Sequence, residues 1–271
     1  MTHQIHILGD CYDIFPHIPD NSVDLILTDP PYEISVDDDG MPGGSWGAPG
    51  DPGYVKRPQL DFGEWDRVPI DIDSMFKEFY RILKPHGTAI IFYDIWKMES
   101  LKASSEKFKF VQHRLGHWQK TNPMPLNSKL NYLTNSREYF CSMVKLSKPT
   151  FHSEYDWGIY ECGILHGKER YGHPTPKPVP IIKALMEKHS NPGEIVFDPF
   201  AGTGTTTVAG ILSGRNVISI ERDANHYSTS KQRILSTSNN KLFKLSDVDF
   251  LSYNESNFSS ELDKLLTEIN D

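Results

Sequence analysis

The chain has 271 residues, 36 acidic against 28 basic side chains, a formal net charge of −8, and a composition that is 38% hydrophobic and 24% charged. Those values are of an ordinary globular chain with a sizeable core and one main domain. Three scattered cysteines exclude a disulfide framework and a Cys-based metal site; no apolar run approaches ~18 residues and the start lacks a secretory pattern, so a cytoplasmic protein with no membrane partner is expected.

In chain order, residues 4–8 read as a strand leading into Gly9-Asp10. Val23-Asp24-Leu25-Ile26-Leu27 reads as a second strand, short, mostly apolar and stopped by Pro30 and Pro31. Residues 33–69, rich in Gly, Pro and Asp, are too long for a plain connection and are expected to form a flexible loop or lid. A helix over about 71–83 ends at Lys84-Pro85; a strand over 88–93, a helix near 97–107 and strands near 111–119 and 138–145 follow. Residues 147–172 are aromatic and polar without clear periodicity. A helix at about 178–189, a strand at 194–197, a helix from about 205 to 214, a strand at 216–220 and a helix near 224–236 complete a catalytic domain over 1–236. From 237 to 271 a polar tail is expected, a disordered linker with a helix-like stretch at 259–269. Alternating strands and helices predict a doubly wound, mostly parallel α/β sheet with ligands at the strands' carboxyl ends.

Two stretches carry chemistry. In Thr28-Asp29-Pro30-Pro31-Tyr32 each proline fixes φ and removes an N–H, so the Asp29 carboxylate and Pro30 carbonyl are held rigidly at a strand end, with Tyr32 just beyond. Two acceptors and an aromatic wall match the exocyclic amino group of adenine or cytosine, which offers two donors on a flat π system. That nitrogen is a poor nucleophile because its lone pair is delocalised; acceptors drawing on its hydrogens localise the pair toward an incoming methyl group. Asp29 is therefore an orienter and stabiliser of the developing positive nitrogen, with proton removal undecided. Taken alone, a strand ending in Asp-Pro-Pro is also an ordinary turn.

The second stretch, Phe197-Asp198-Pro199-Phe200-Ala201-Gly202-Thr203-Gly204-Thr205-Thr206, reads as strand, glycine turn and helix, the pattern of a nucleotide-type site. It lacks the third glycine of a dinucleotide fingerprint and the lysine of a P-loop, which disfavours a dehydrogenase or NTPase. The next strand ends at Glu221, an acid placed to accept hydrogen bonds from ribose hydroxyls.

These residues resemble the amino-group DNA methyltransferases that use S-adenosylmethionine. TDPPY looks like their catalytic motif, FDPFAGTGTT followed by ISIE looks like their cofactor motif, and the order, catalytic first, is that of the β class. LDFGEWD at 60–66, YRILKPHG at 80–87, WQKTNPMP at 118–125 and HPTPKP at 173–178 extend the resemblance from residue 5 to about 235. It implies a Rossmann-like methyltransferase fold with circularly permuted motif order, Asp29 and Gly202 near neighbours in space, and a short target-recognition insertion at 147–172. It implies catalytic roles for Asp29, Pro30, Pro31 and Tyr32. It also implies cofactor contacts for Asp10, Thr175, Lys177, Asp198, Pro199, Phe200, Gly202, Gly204, Thr205 and Glu221, with S-adenosylmethionine as the cofactor and no metal. Asp10 also reads as a turn cap, Phe200 as core and Lys177 as a solvated loop charge. Double-stranded DNA is the implied partner, and a homodimer and a cognate restriction enzyme are partners the class suggests. TDPPY is the form more often associated with adenine N6; cytosine N4 methylation, RNA adenine methylation and a non-catalytic nucleic-acid-binding role are the alternatives.

Cytosine C5 methylation needs a thiolate, and its Cys follows a Pro; here Cys11, Cys141 and Cys162 follow Asp10, Phe140 and Glu161. The net negative charge is awkward for a DNA binder unless it is unevenly spread. Residues 97–148 carry ten Lys or Arg against three acids, whereas 10–39 hold nine acids and no Lys or Arg. The middle third is thus the expected basic face.

Overall fold

The structure, a computed structural model, describes residues 2–32, 70–123, 135–171, 176–239 and 246–270. Contacts divide the chain into two units, Met1–Pro30 with Ile72–Asp271, and Pro31–Asp71. The expected loop at 33–69 lies outside the described residues, as does Thr175, and the fold below is that of the first unit.

Among the described residues nine strands form one sheet: β1 (Thr2–Leu8), β2 (Val23–Thr28), β3 (Leu83–Tyr93), β4 (Phe110–Lys120), β5 (Arg137–Lys145), β6 (Ile159–Cys162), β7 (Ile195–Asp198), β8 (Asn216–Glu221) and β9 (Ser246–Ser252). The helices are α1 (Cys11–Ile14), α2 (Ile72–Ile82), α3 (Met98–Lys107), α4 (Val179–His189), α5 (Thr205–Ser213), α6 (Ala224–Ser238) and α7 (Phe258–Asn270). The strands lie in the order β6-β4-β5-β3-β2-β7-β8-β1-β9. From β3 to β9 every pair is parallel, β5 is antiparallel to β3 and β4, and β6 is parallel to β4.

Both faces of the central strands are covered, which is why they read as mostly apolar runs and not as strict alternation. Side chains of β2 alternate with period two. Leu25 and Leu27 join Ile181 and Leu185 of α4, Ala209 of α5 and Val217 of β8 in one buried cluster. Ile26 pairs in register with Phe197, and that ring packs 6.1 Å from Phe15, itself 6.0 Å from Phe79 of α2. Complete burial of each such side chain contributes roughly 2 kcal/mol relative to exposure.

Three elements differ from the sequence reading, the first being β6, a strand parallel to β4 within the stretch at 147–172 that showed no clear periodicity. β3 begins at Leu83, five residues before the expected strand, because pairing with β2 jumps from Val23↔Leu83 to Leu25↔Thr88 and residues between bulge out. His86 takes a left-handed φ of 70° in that bulge, and a Cβ on Gly87 would sit 2.9 Å from the Asp24 carbonyl oxygen. The polar tail also contains a strand: β9 runs parallel to β1 from Thr2↔Ser246 to Leu8↔Ser252, and α7 buries Phe258, Leu262 and Leu266.

Candidate active site

The permuted arrangement follows from two pairings. β2 lies beside β7, with Leu25 opposite Val196, and β1 lies beside β8, with Leu8 opposite Glu221. Parallel strands end on the same edge, so Thr28-Asp29, Asp198-Pro199, Glu221 and Gly9-Asp10 all arrive there. The two motifs, 170 residues apart in sequence, are joined by a hydrogen bond from Thr28 Oγ1 to Asp198 Oδ1 of 2.7 Å. Pro31 and Tyr32 continue the chain as the first residues of the second unit.

Asp198 organises this junction. Its Oδ1 also accepts from the Phe200 amide at 3.1 Å, which turns the chain out of β7. Burial pushes its carboxyl up to about 6, against hydrogen bonds from Thr206, Thr28 and Phe200 that favour the ionised form. Pro199 is buried beside it and Phe200 is half-buried. The turn then needs left-handed backbone at Gly202 (φ 52°) and Gly204 (φ 77°), and a Cβ on Gly204 would lie 3.0 Å from Ser230 Cβ. Gly204 caps α5, whose Thr205 hydroxyl accepts from Arg233 Nη1 at 3.0 Å. Arg233, buried on α6, also donates to the Thr203 carbonyl at 3.1 Å and lies over the Tyr171 ring at 4.5 Å.

Glu221 clasps the same turn from β8. Its Oε2 accepts from the Gly202 amide and its Oε1 from the Asp223 amide, each at 2.7 Å. Burial lifts its carboxyl to about 7 against those two bonds. Asp10 caps α1 by accepting from the Tyr12 amide at 2.9 Å and lies 3.5 Å from Arg222, while the Gly9 amide donates to the Glu221 carbonyl at 3.0 Å. A carboxylate offers about four acceptor sites, so two amides leave Glu221 able to take hydroxyl hydrogens. With side-chain-free glycines beside it in the turn, this acceptor fits a ligand carrying a ribose.

On the β2 side the Lys177 ammonium, buried just before α4, donates to Asp29 Oδ2 and pairs with Glu138 Oε2 at 3.0 Å. Lys120 reaches Glu138 Oε1 at 2.8 Å, and Lys177 stands 5.2 Å from the Phe92 ring centre. Burial acts to strip the proton from Lys177, but the charges of Asp29 and Glu138 outweigh it and hold its pKa above the ordinary lysine value. Glu138 is held below the usual carboxylate range: burial raises it, and Lys177 and Lys120 together lower it further.

The structure therefore groups Gly202, Gly204, Glu221 and Asp10 on one side and Asp29 with Lys177 on the other, bridged by Thr28 and Asp198. Lys177, grouped by resemblance with the cofactor residues, makes its ion pairs with Asp29 and Glu138. Sequence reasoning missed Glu138, Lys120 and Arg233. Glu138 stands alone among the acids of a basic stretch over 114–148, which is the signal that was available. Burial raises the Cys11 thiol and carries that of Cys141 to about 11, against a thiolate nucleophile. Among the described residues no group of three or more His, Cys, Asp or Glu could hold a metal ion, and no helix is long and apolar enough to cross a membrane.

Comparison with known proteins agrees with this architecture. The chain is 27% identical over 245 residues to the type II methyltransferase M2.MboI of Moraxella bovis, covering 83% of this chain and 85% of that one. It is 28% identical over 280 residues to the type II methyltransferase M.HinfI of Haemophilus influenzae, covering 90% and 70%. The crystal structure of an M1.HpyAVI-SAM complex superposes with a TM-score of 0.64 at 24% identity, over 85% of this chain and 98% of that chain, and so shares the fold. The family model for N6/N4 DNA methylases matches residues 23–232, a span that holds both motifs, and the chain belongs to that DNA methylase family.

Proposed function

We propose that this protein transfers a methyl group from S-adenosylmethionine to adenine N6 in double-stranded DNA. The observation that carries the reading is the junction of β2 and β7, which holds Asp29 one residue from the Thr28–Asp198 bond and so beside the glycine turn. S-adenosylmethionine supplies an electrophilic methyl group on a sulfonium. Glu221 and Asp10 are the acceptors for its ribose and adenine ends, Gly202 and Gly204 let the backbone approach it, and Phe200 offers a half-buried ring to the cationic sulfur. The relatives' roles as type II methyltransferases and the bound SAM of the M1.HpyAVI complex support this assignment.

An amino group inside a base pair cannot reach a carboxylate at a strand end, so the target base leaves the duplex. Asp29 and the Pro30 carbonyl take its two amino hydrogens, with Tyr32, three positions along the chain, as its stacking face. S-adenosylmethionine bound there would supply its methyl to the nitrogen that Asp29 and the Pro30 carbonyl hold, leaving as the thioether, with the nitrogen's surplus proton passing to water. The protein contributes position and a polar environment arranged in advance. Residues 147–171 supply the surface for target recognition: Tyr155 and Trp157 are 93% and 87% exposed there, available to stack or wedge against DNA.

Asp29→Ala is expected to abolish tritium transfer from labelled S-adenosylmethionine to unmethylated DNA while cofactor binding by calorimetry persists; turnover at the wild-type rate would remove Asp29 from the reaction. Mass spectrometry of nucleosides from DNA methylated by the wild-type protein is expected to show N6-methyladenine, and N4-methylcytosine would reassign the base.

A further inference from the structure

We infer that Lys177 and Glu138 are positioning residues that keep Asp29 an ionised acceptor, so that Asp29 orients the amino group and is not the base that takes its proton. The inference rests on the role of Asp29 proposed above. Lys177 is the pivot, with its side chain 6% exposed and its ammonium shared between Asp29 and Glu138. Lys120 continues the series at 2.8 Å from Glu138, so four charges alternate in sign along Asp29, Lys177, Glu138 and Lys120. The Lys177 ammonium is a fixed positive hydrogen-bond donor on the Asp29 carboxylate, an arrangement that suits an acceptor and opposes a base. The same ammonium would repel the positive charge growing on the nucleophilic nitrogen. Glu138, 3.0 Å behind it, offsets that repulsion. A buried lysine that loses one of its two carboxylate partners is left with its charge only half offset, and it leans more heavily on Asp29.

A specific pattern of variants follows. Glu138→Gln leaves Lys177 facing Asp29 alone and is expected to lower the single-turnover rate of methyl transfer at least tenfold, with the dissociation constant for S-adenosylmethionine within about twofold of wild type. Glu138→Asp keeps the charge and is expected to stay within about threefold in rate. Adding Lys177→Met to Glu138→Gln also removes the ammonium that holds Asp29, so the double variant is expected to be no faster than Glu138→Gln alone. The measurement is rapid-quench transfer to plasmid DNA from a methylation-deficient strain, with calorimetric cofactor binding to show that each variant is folded. A wild-type rate in Glu138→Gln, or a double variant faster than the single one, overturns the inference. Asp29→Ala runs in parallel, and its retention of activity would instead overturn the reading on which the inference rests.

Discussion

Glu221 and Asp198 are buried carboxyls at the ends of neighbouring strands, and burial is the first cause of both upward shifts, to about 7 and about 6. A carboxyl whose folded pKa exceeds its unfolded value stabilises the fold fully below the unfolded value and loses that contribution as pH rises through the folded one. His6 has the opposite sign: burial, with Lys231 adding to it, pulls its imidazole down to about 3, so its contribution is lost as pH falls below 6.5. A variant comparison separates the two. The stability of wild type minus that of Glu221→Gln, measured by urea unfolding without ligand, is expected to decline from pH 5 to pH 8 by up to roughly 3 kcal/mol. A flat difference would mean that Glu221 ionises as an ordinary surface acid. The sequence marked Glu221 because it ends an apolar strand after a glycine turn; that it clamps the turn through the Gly202 amide depends on β7 and β8 being neighbours.

At the scale of elements, β2, β7, β8 and α5 were legible because each is a short, mostly apolar stretch bounded by proline, glycine or an acid. The edge strand β9 was not, for a physical reason. It has one strand neighbour, Asp247 and Asp249 alternate with Val248 and Phe250, and only Leu251 among its described side chains is fully buried. Composition over a polar segment hides such alternation. The helix after it was readable, since Phe258, Leu262 and Leu266 recur every four residues and all three are buried. Leu262→Ala is expected to cost ~2–5 kcal/mol in urea unfolding, because α7 covers β1 and β9 through this face. Methyl transfer per folded molecule should be unchanged, as β9 lies four strands from β2. A loss below 1 kcal/mol, on the order of an exposed substitution, would show that α7 does not cap the sheet.

For the whole molecule the main revision concerns charge. The basic middle third is not a uniform DNA-facing surface. Lys145 is buried, donating to Asn21 Oδ1 at 2.8 Å and to the Tyr80 and Leu83 carbonyls at 2.6 and 2.7 Å, and so ties β5 to the end of α2. Lys107 pairs with Asp73 and Lys102 with Glu106. Lys145→Met is expected to destabilise by roughly 1–3 kcal/mol for each stranded carbonyl. It should leave the slope of log DNA affinity against log salt unchanged, since that slope counts phosphate contacts. A shallower slope would return Lys145 to the DNA interface. The α/β alternation, the two motifs and the order in which they occur can be read along the chain, because apolar runs, prolines and glycines act on backbone conformation within a few residues. Which strands lie side by side was decided only by the tertiary structure. Packing across 170 residues put Thr28 on Asp198, turned Lys177 toward Asp29 and recruited Glu138 and Arg233, because a buried charge is stable only where the fold brings it partners.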